Sequence, residues 1–335
     1  MAPDAAALPT PPGDAPALPS RPDIDAAGRR LAPWIRETPL VEVDPADLDL
    51  PGRRPLVLKL EMLQHAGSFK GRGAHNQLLG KLPAAGVVAA SGGNYGVAVA
   101  YAAHRLGVSA TVFVPDTTAP AKLERLRSLG ATVEVVPGYY DEALAASHAH
   151  AAATGARFLH AFDQAEMIEG AGTLAAELER QAAGVPSGAG GGGLDRVIVA
   201  VGGAGLIGGV ACWFRGAVSI TGVETRGCRA LDAALRAGGV VDTDVSGLAA
   251  DALGARRVGA LGFAAARAWT DGVVVVEDAD LVEAQRRLWR ALRLATEPAG
   301  AAALAALTTG ALGADPDERV AVVLCGGNVD PGTLP

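Results

Sequence analysis

Runs of apolar, largely β-branched residues alternate along this chain with alanine-rich stretches whose apolar positions recur at helical spacing. The extended runs fall at 56–62, 87–91, 110–114, 132–136, 196–201, 218–224, 273–277 and 319–324. Between them the spacing predicts helices near 72–81, 95–107, 119–130, 141–155, 166–182, 205–215, 279–294 and 297–310. A strand that is apolar on both faces and is followed by a helix belongs in a parallel sheet with helices on each side, because both faces must be buried. The pattern therefore predicts an α/β protein with doubly wound sheets. The stretch 186–193 (PSGAGGGG) precedes a strand, and no helix opens after it. Without helical amides it reads as a flexible surface loop and not as a phosphate loop. No segment repeats.

Composition narrows the function classes. The chain has 335 residues, half of them hydrophobic, which is enough for a two-lobed globular protein. A net charge of −7 argues against nucleic acid or an anionic membrane as the main partner. No apolar run reaches the roughly 20 residues of a membrane span. Residues 1–20, rich in Pro and Ala, read as a disordered tail and not as a signal peptide. Cys212, Cys228 and Cys325 are too scattered for a disulfide framework or a zinc site, so a reducing cytoplasm is expected. The six histidines show no metal spacing; His148 and His150, two apart on a helix, face different ways. Lysine occurs only four times, at 59, 70, 81 and 122, so chemistry that needs a titratable amine has few candidates.

Four segments carry candidate chemistry. Gly67-Ser68-Phe69-Lys70-Gly71-Arg72-Gly73-Ala74 follows an extended run and opens a helix. A lysine there sits against the positive end of the helix dipole. In a closed site its amine becomes a nucleophile toward an aldehyde; on an open surface it is a solvated charge. Ser91-Gly92-Gly93-Asn94-Tyr95-Gly96 joins a strand to a helix whose first amides can hold a carboxylate, or in which Asn94 merely caps the helix. Gly202-Gly203-Ala204-Gly205-Leu206 lies in the same kind of junction and suits a phosphate. A dinucleotide loop is the rival, since residues 203–208 fit GxGxxG and Glu224 stands where its acidic partner belongs. Cys325-Gly326-Gly327-Asn328 ends the last strand, where a thiol either enters the ligand crevice or is simply buried.

Taken in order, from about Glu37 to Asn328, these segments resemble the fold-type II pyridoxal-phosphate (PLP) enzymes of the serine/threonine dehydratase and serine racemase group. The resemblance implies a tryptophan synthase β-like fold: two doubly wound open sheets with the active site between the lobes. Residues 21–62 and 160–335 would form the large lobe, and 63–159 a small lobe carrying Lys70 and the Asn94 loop. Lys70 would join the cofactor as an imine and serve as catalytic base, with Phe69 packed near the ring. Asn94 would bond the ring hydroxyl, while Ser91, Gly92, Gly93, Asn94 and Tyr95 would receive the substrate. Gly202, Gly203, Ala204, Gly205 and Leu206 would cup the phosphate, the methyl of Ala204 requiring a negative φ. Cys325 would sit beside the pyridine nitrogen and favour prompt β-elimination. Glu297 and His65 would stand behind these residues; in their own right Glu297 reads equally as a helix-start acid, and His65 reads first as a hydrogen-bonded structural histidine. The stretches 251–262 and 288–294 also look like this family, although Arg256 and Arg257 read as a solvated surface pair.

The departures matter as much. Racemase relatives carry Ser where this chain has Gly92, and glycine has no proton to give, so elimination is expected over racemisation. Tyr95 replaces a common His. Some relatives bind a cation through an acid matching Glu224 and an Asp six residues on; here that second position is Ala230, so Glu224 is a weak metal candidate and no metal is expected. With Pro335 soon after the Cys325 segment, end-product inhibition through a regulatory domain like that of biosynthetic threonine dehydratases is not expected. The expected activity is PLP-dependent dehydration and deamination of a small β-hydroxy amino acid such as L-serine or L-threonine, by a cytoplasmic homodimer. β-Replacement, racemisation and a nucleotide-binding regulatory protein are the alternatives.

Overall fold

The computed structural model describes residues 16–80, 82–184, 193–313 and 315–334. Most of the expected tail and most of the 186–193 loop lie outside the described residues. Helix α1 (Arg21–Leu31) opens at Ser20 and Asp23, which cap each other's backbone, and buries Ile24, Ala27 and Leu31. That capping box is the available signal for a helix that hydrophobic periodicity overlooks.

Two sheets follow. The six-stranded sheet runs in the order β1 (Leu40–Val43), β2 (Leu56–Lys59), β10 (Val320–Val323), β7 (Arg196–Ala200), β8 (Ser219–Thr225), β9 (Gly272–Val276). All its pairings are parallel except β1 with β2. The four-stranded sheet is wholly parallel, in the order β5 (Thr132–Val136), β4 (Ala110–Pro115), β3 (Val87–Ala90), β6 (Arg157–Phe158).

Several expectations change. The strand expected over 56–62 stops at Lys59, and Glu61–Leu63 turns as a short 3-10 helix. Glu61, buried in that turn, meets Arg72. β1 and β6 escape the apolar pattern: one carries a Glu in mid-run, and the other has two residues, too few for a pattern. β5 is largely solvent-facing, as an edge strand can be. Helices α8 (Ala230–Ala237) and α10 (Ala260–Trp269) and the helical turn α9 (Ala250–Leu253) are further additions to the expected elements.

The lysine-bearing helix α2 (Lys70–Leu78) is wedged between α3 (Asn94–Leu106) and α6 (Ala165–Gly184). Gly73 and Gly170 make this possible: a Cβ on Gly170 would lie 2.6 Å from the Gly73 Cα, so the two helices cross backbone against backbone. Beside the crossing lies a buried ionic cluster. Arg72 grips Glu61 with two hydrogen bonds of 2.9 and 2.6 Å and meets Glu177 at 3.0 Å. Lys59 pairs with Glu177 and donates to the Thr38 carbonyl at 2.8 Å and to Gln181 at 2.7 Å. Every charge here has an opposite partner, as burial requires. The cluster pins β2, α2 and α6 together. No helix among the described residues is long and apolar enough to cross a membrane.

Candidate active site

Lys70 begins α2, where its backbone is fixed by Phe69, whose amide donates to the Cys325 carbonyl at 3.0 Å. The residue is half-buried, but its amine is enclosed. It donates to the Ala161 carbonyl at 2.7 Å and stands 5.0 Å from the Phe69 ring centre and 5.7 Å from that of Tyr95. Among the described residues no carboxylate pairs with it. Burial pulls its pKa down to about 8, only partly opposed by Cys325. Among the described lysines it stands apart, since Lys59 and Lys122 are both ion-paired; Lys81 lies outside the described residues. Two residues before it, the Ser68 hydroxyl is buried without a hydrogen-bond partner.

The carbonyl that holds Lys70 belongs to a turn that no motif or periodicity marks. His160 Nδ1 accepts the amides of Phe162 and Asp163 at 3.3 and 3.0 Å and so shapes it. Phe162 then packs on the glycine turn that follows β7. A Cβ on Gly203 would come within 2.3 Å of its ring, and one on Gly205 within 3.0 Å of its Cβ. That turn opens α7 (Gly205–Phe214), an entirely buried helix in which Leu206 lies one residue inside the N-terminus. The negative φ on which tolerance of the Ala204 methyl depends is not met: Ala204, the residue before α7, is left-handed at +65°.

The second junction, Ser91 to Asn94, follows β3. Asn94 is the first residue of α3 and not its cap. Its amide nitrogen donates to Glu297 at 2.6 Å and its oxygen accepts from Asn328 at 2.7 Å, which leaves one N–H for a ligand. Asn328 also holds the Ala66 carbonyl at 2.9 Å, tying this corner to the segment before Lys70. Glu297 immediately precedes α12 (Pro298–Thr308) without a side-chain capping bond and lies against Gly326; burial pushes its carboxyl up to about 7 despite the Asn94 bond. Cys325 is a buried free thiol, pushed well above its usual range by burial, with Sγ 3.5 Å from the Ala299 carbonyl. Tyr95 commits its hydroxyl to Gln77 at 2.8 Å, so only the ring faces Lys70.

One strap of chain, residues 243–256, covers both junctions. Thr243 and Arg256 join its ends through an amide–carbonyl bond of 2.7 Å. In its middle, a Cβ on Gly93 would lie 3.1 Å from the Asp251 carbonyl, and one on Gly202 would lie 3.0 Å from Leu253. Ion pairs of Asp251 with Lys122, on α4 (Pro120–Ser128), and of Arg256 with Asp141, on α5 (Tyr140–Thr154), reach across the cleft. Arg257 forks onto Asp242 at 2.6 and 2.8 Å, and both arginines are exposed.

Two candidates fall outside this constellation. His65 stacks on Tyr101 and shares a 3.0 Å hydrogen bond with its hydroxyl, the structural alternative. Both Glu224 oxygens accept amides, from Leu231 and Asp232 at 2.8 Å each, and burial outweighs these bonds to push the carboxyl up to about 8. No group of three or more His, Cys, Asp or Glu suited to a metal occurs among the described residues.

Comparison with known proteins gives the same picture. Residues 31–326 match the family of pyridoxal-phosphate dependent enzymes. The chain is 36% identical to phenylserine dehydratase of Ralstonia pickettii over 96% of its length and 97% of that protein's. Among solved structures, the threonine deaminase of T.th. superposes with a TM-score of 0.85 at 33% identity, covering 93% of this chain and 99% of that one. Maize serine racemase superposes equally well, at 0.85 and 29% identity, covering 94% of this chain and 95% of that one. A glycine turn at a helix start, an unpaired buried amine and an orphaned Ser68 hydroxyl fit a phosphate-bearing aldehyde.

Proposed function

The chain belongs to the pyridoxal-phosphate dependent enzymes, and on that footing we propose that it removes water and then ammonia from a small β-hydroxy amino acid, with Lys70 as the catalytic group. The observation that carries this reading is the Lys70 amine, enclosed with no carboxylate partner and neutral above about pH 8. The cofactor, when bound, supplies an aldehyde that captures an amino group and a ring that stabilises negative charge at Cα. Lys70 would hold it covalently. The amides of Gly202 to Leu206, at the positive end of α7, would hold its phosphate, and the spare N–H of Asn94 its ring hydroxyl. Phe69 and Cys325 would flank the ring.

The chain's own residues then divide the work. The amides following Ser91 receive the substrate carboxylate at the start of α3. The strap excludes water above both junctions. Lys70, freed once the substrate amine has taken its place, would remove the α-proton as general base. As the β-hydroxyl leaves with a proton as water, the remaining enamine tautomerises and hydrolyses to a 2-oxo acid and ammonia. Gly92 offers no proton to the opposite face, which favours elimination over racemisation.

The relatives act, by name, on phenylserine and threonine, which supports a β-hydroxy amino acid for this chain. We extend the proposal to a cytoplasmic homodimer with a small lobe over 63–159 and a large lobe over 21–62 and 160–335. The segregation of β3–β6 from the other strands supports that division. In the deciding experiment, purified yellow protein is given L-serine, L-threonine or phenylserine with no added nucleophile. Release of 2-oxo acid and ammonia is expected from at least one. Lys70→Ala should lower turnover by about 10³-fold or more and remove the borohydride-reducible label. Turnover that survives this substitution overturns the reading.

A further inference from the structure

A second depression is lined in part by strap residues 243, 244, 246 and 256, and Lys70 is not among its lining residues. Its volume is about 410 Å³, within the range of small-molecule sites. Arg226, Arg229 and Arg256 line it together with Asp242, Asp244 and Ser246. Several of these charges are already neutralised. Arg226 is held by Glu277 at 2.6 Å, and Asp242 lies in the fork of Arg257. Arg256 reaches Asp141 only at 3.7 Å.

Arg229 and Asp244 remain. Neither side chain makes a hydrogen bond or ion pair among the described residues, although Arg229 acts electrostatically on buried Glu224. Nor does the α8 N-terminus compete for a ligand, since its amides at Leu231 and Asp232 are taken by Glu224. A hollow that offers one uncommitted guanidinium and one uncommitted carboxylate, with a hydroxyl beside them, presents the two halves of a zwitterion's complement. A guanidinium grips a carboxylate through two parallel donors, and a carboxylate takes the N–H bonds of an ammonium. A plain dianion would leave Asp244 opposed to it, and a plain amine would leave Arg229 unanswered.

We propose that this depression is a second binding site, separate from the active site, for a free α-amino acid held as a zwitterion: carboxylate on Arg229 with Arg256, ammonium on Asp244. The proposal does not depend on the reaction assigned above. The test uses L-proline as probe on the holoenzyme, because a secondary amine keeps the zwitterion and its N–H donors. Cofactor absorption is followed in parallel to report any entry into the active site. Calorimetric titration should show saturable binding without a change in that absorption. Arg229→Ala and Asp244→Asn should each weaken it at least tenfold, with basal turnover unchanged in Arg229→Ala. Succinate and ethylammonium, one carrying only negative and the other only positive charge, should bind at least tenfold more weakly than proline. Absent binding, binding equal in wild type and both variants, or succinate binding as tightly as proline would each overturn the proposal.

Discussion

At the scale of single residues, the site is a matter of which charges lack partners. Lys70 is the test case. Its amine is lowered by burial, so the neutral, nucleophilic form dominates above about pH 8 and not above the ordinary lysine range. Reconstitution of the apoprotein with PLP should therefore accelerate as pH rises from 7 to 9, with a midpoint near 8 in stopped-flow absorbance. A midpoint near 10 would mean that the amine is solvated. Ala204 makes a different prediction. A left-handed alanine costs about 1–2 kcal/mol, and glycine gives back part of that through its looser unfolded chain. Ala204→Gly should raise stability to urea by about 0.5–1 kcal/mol, provided the turn keeps its shape.

At the scale of elements, helix α2 is fixed by its neighbours more than by its own sequence. Arg72→Ala would strand Glu61 and Glu177 as buried, under-compensated carboxylates, at a cost of about 3–5 kcal/mol in urea unfolding. Replacing the exposed pair partner Arg257 should cost below about 1 kcal/mol. This scale also shows what can be seen in advance. Strands such as β10, apolar throughout, and β4 and β7, apolar but for Thr111 and Arg196, are plain from composition and period. α8 and α10 are not, because they interleave with loops whose turns carry no fixed spacing. The two glycine junctions and Lys70 stand out by residue type. Ala161, Phe162 and Asn328 do not: one acts through a backbone carbonyl, one through packing, and one through a contact 234 residues away in sequence. Pairings of that kind leave no local mark.

At the scale of the whole molecule, the strap reaches across the cleft to α4 and α5. Its cross-cleft pairs, Lys122 with Asp251 and Arg256 with Asp141, are all exposed, so salt screens them and each contributes at most about 1 kcal/mol. Lys122→Ala should raise KM by no more than about fivefold. In about 1 M salt, wild type should converge on the variant. A loss in kcat with KM unchanged would show that the pair acts on chemistry and not on covering the cleft.

The resting partner of Lys70 has a consequence of its own. A peptide carbonyl can take a hydrogen bond but cannot take the proton itself, and no side-chain substitution deletes it. In the interval when the amine is not joined to anything, it is therefore tethered without being quenched. The chain keeps its nucleophile aimed and loaded by a part of itself that point mutation cannot reach.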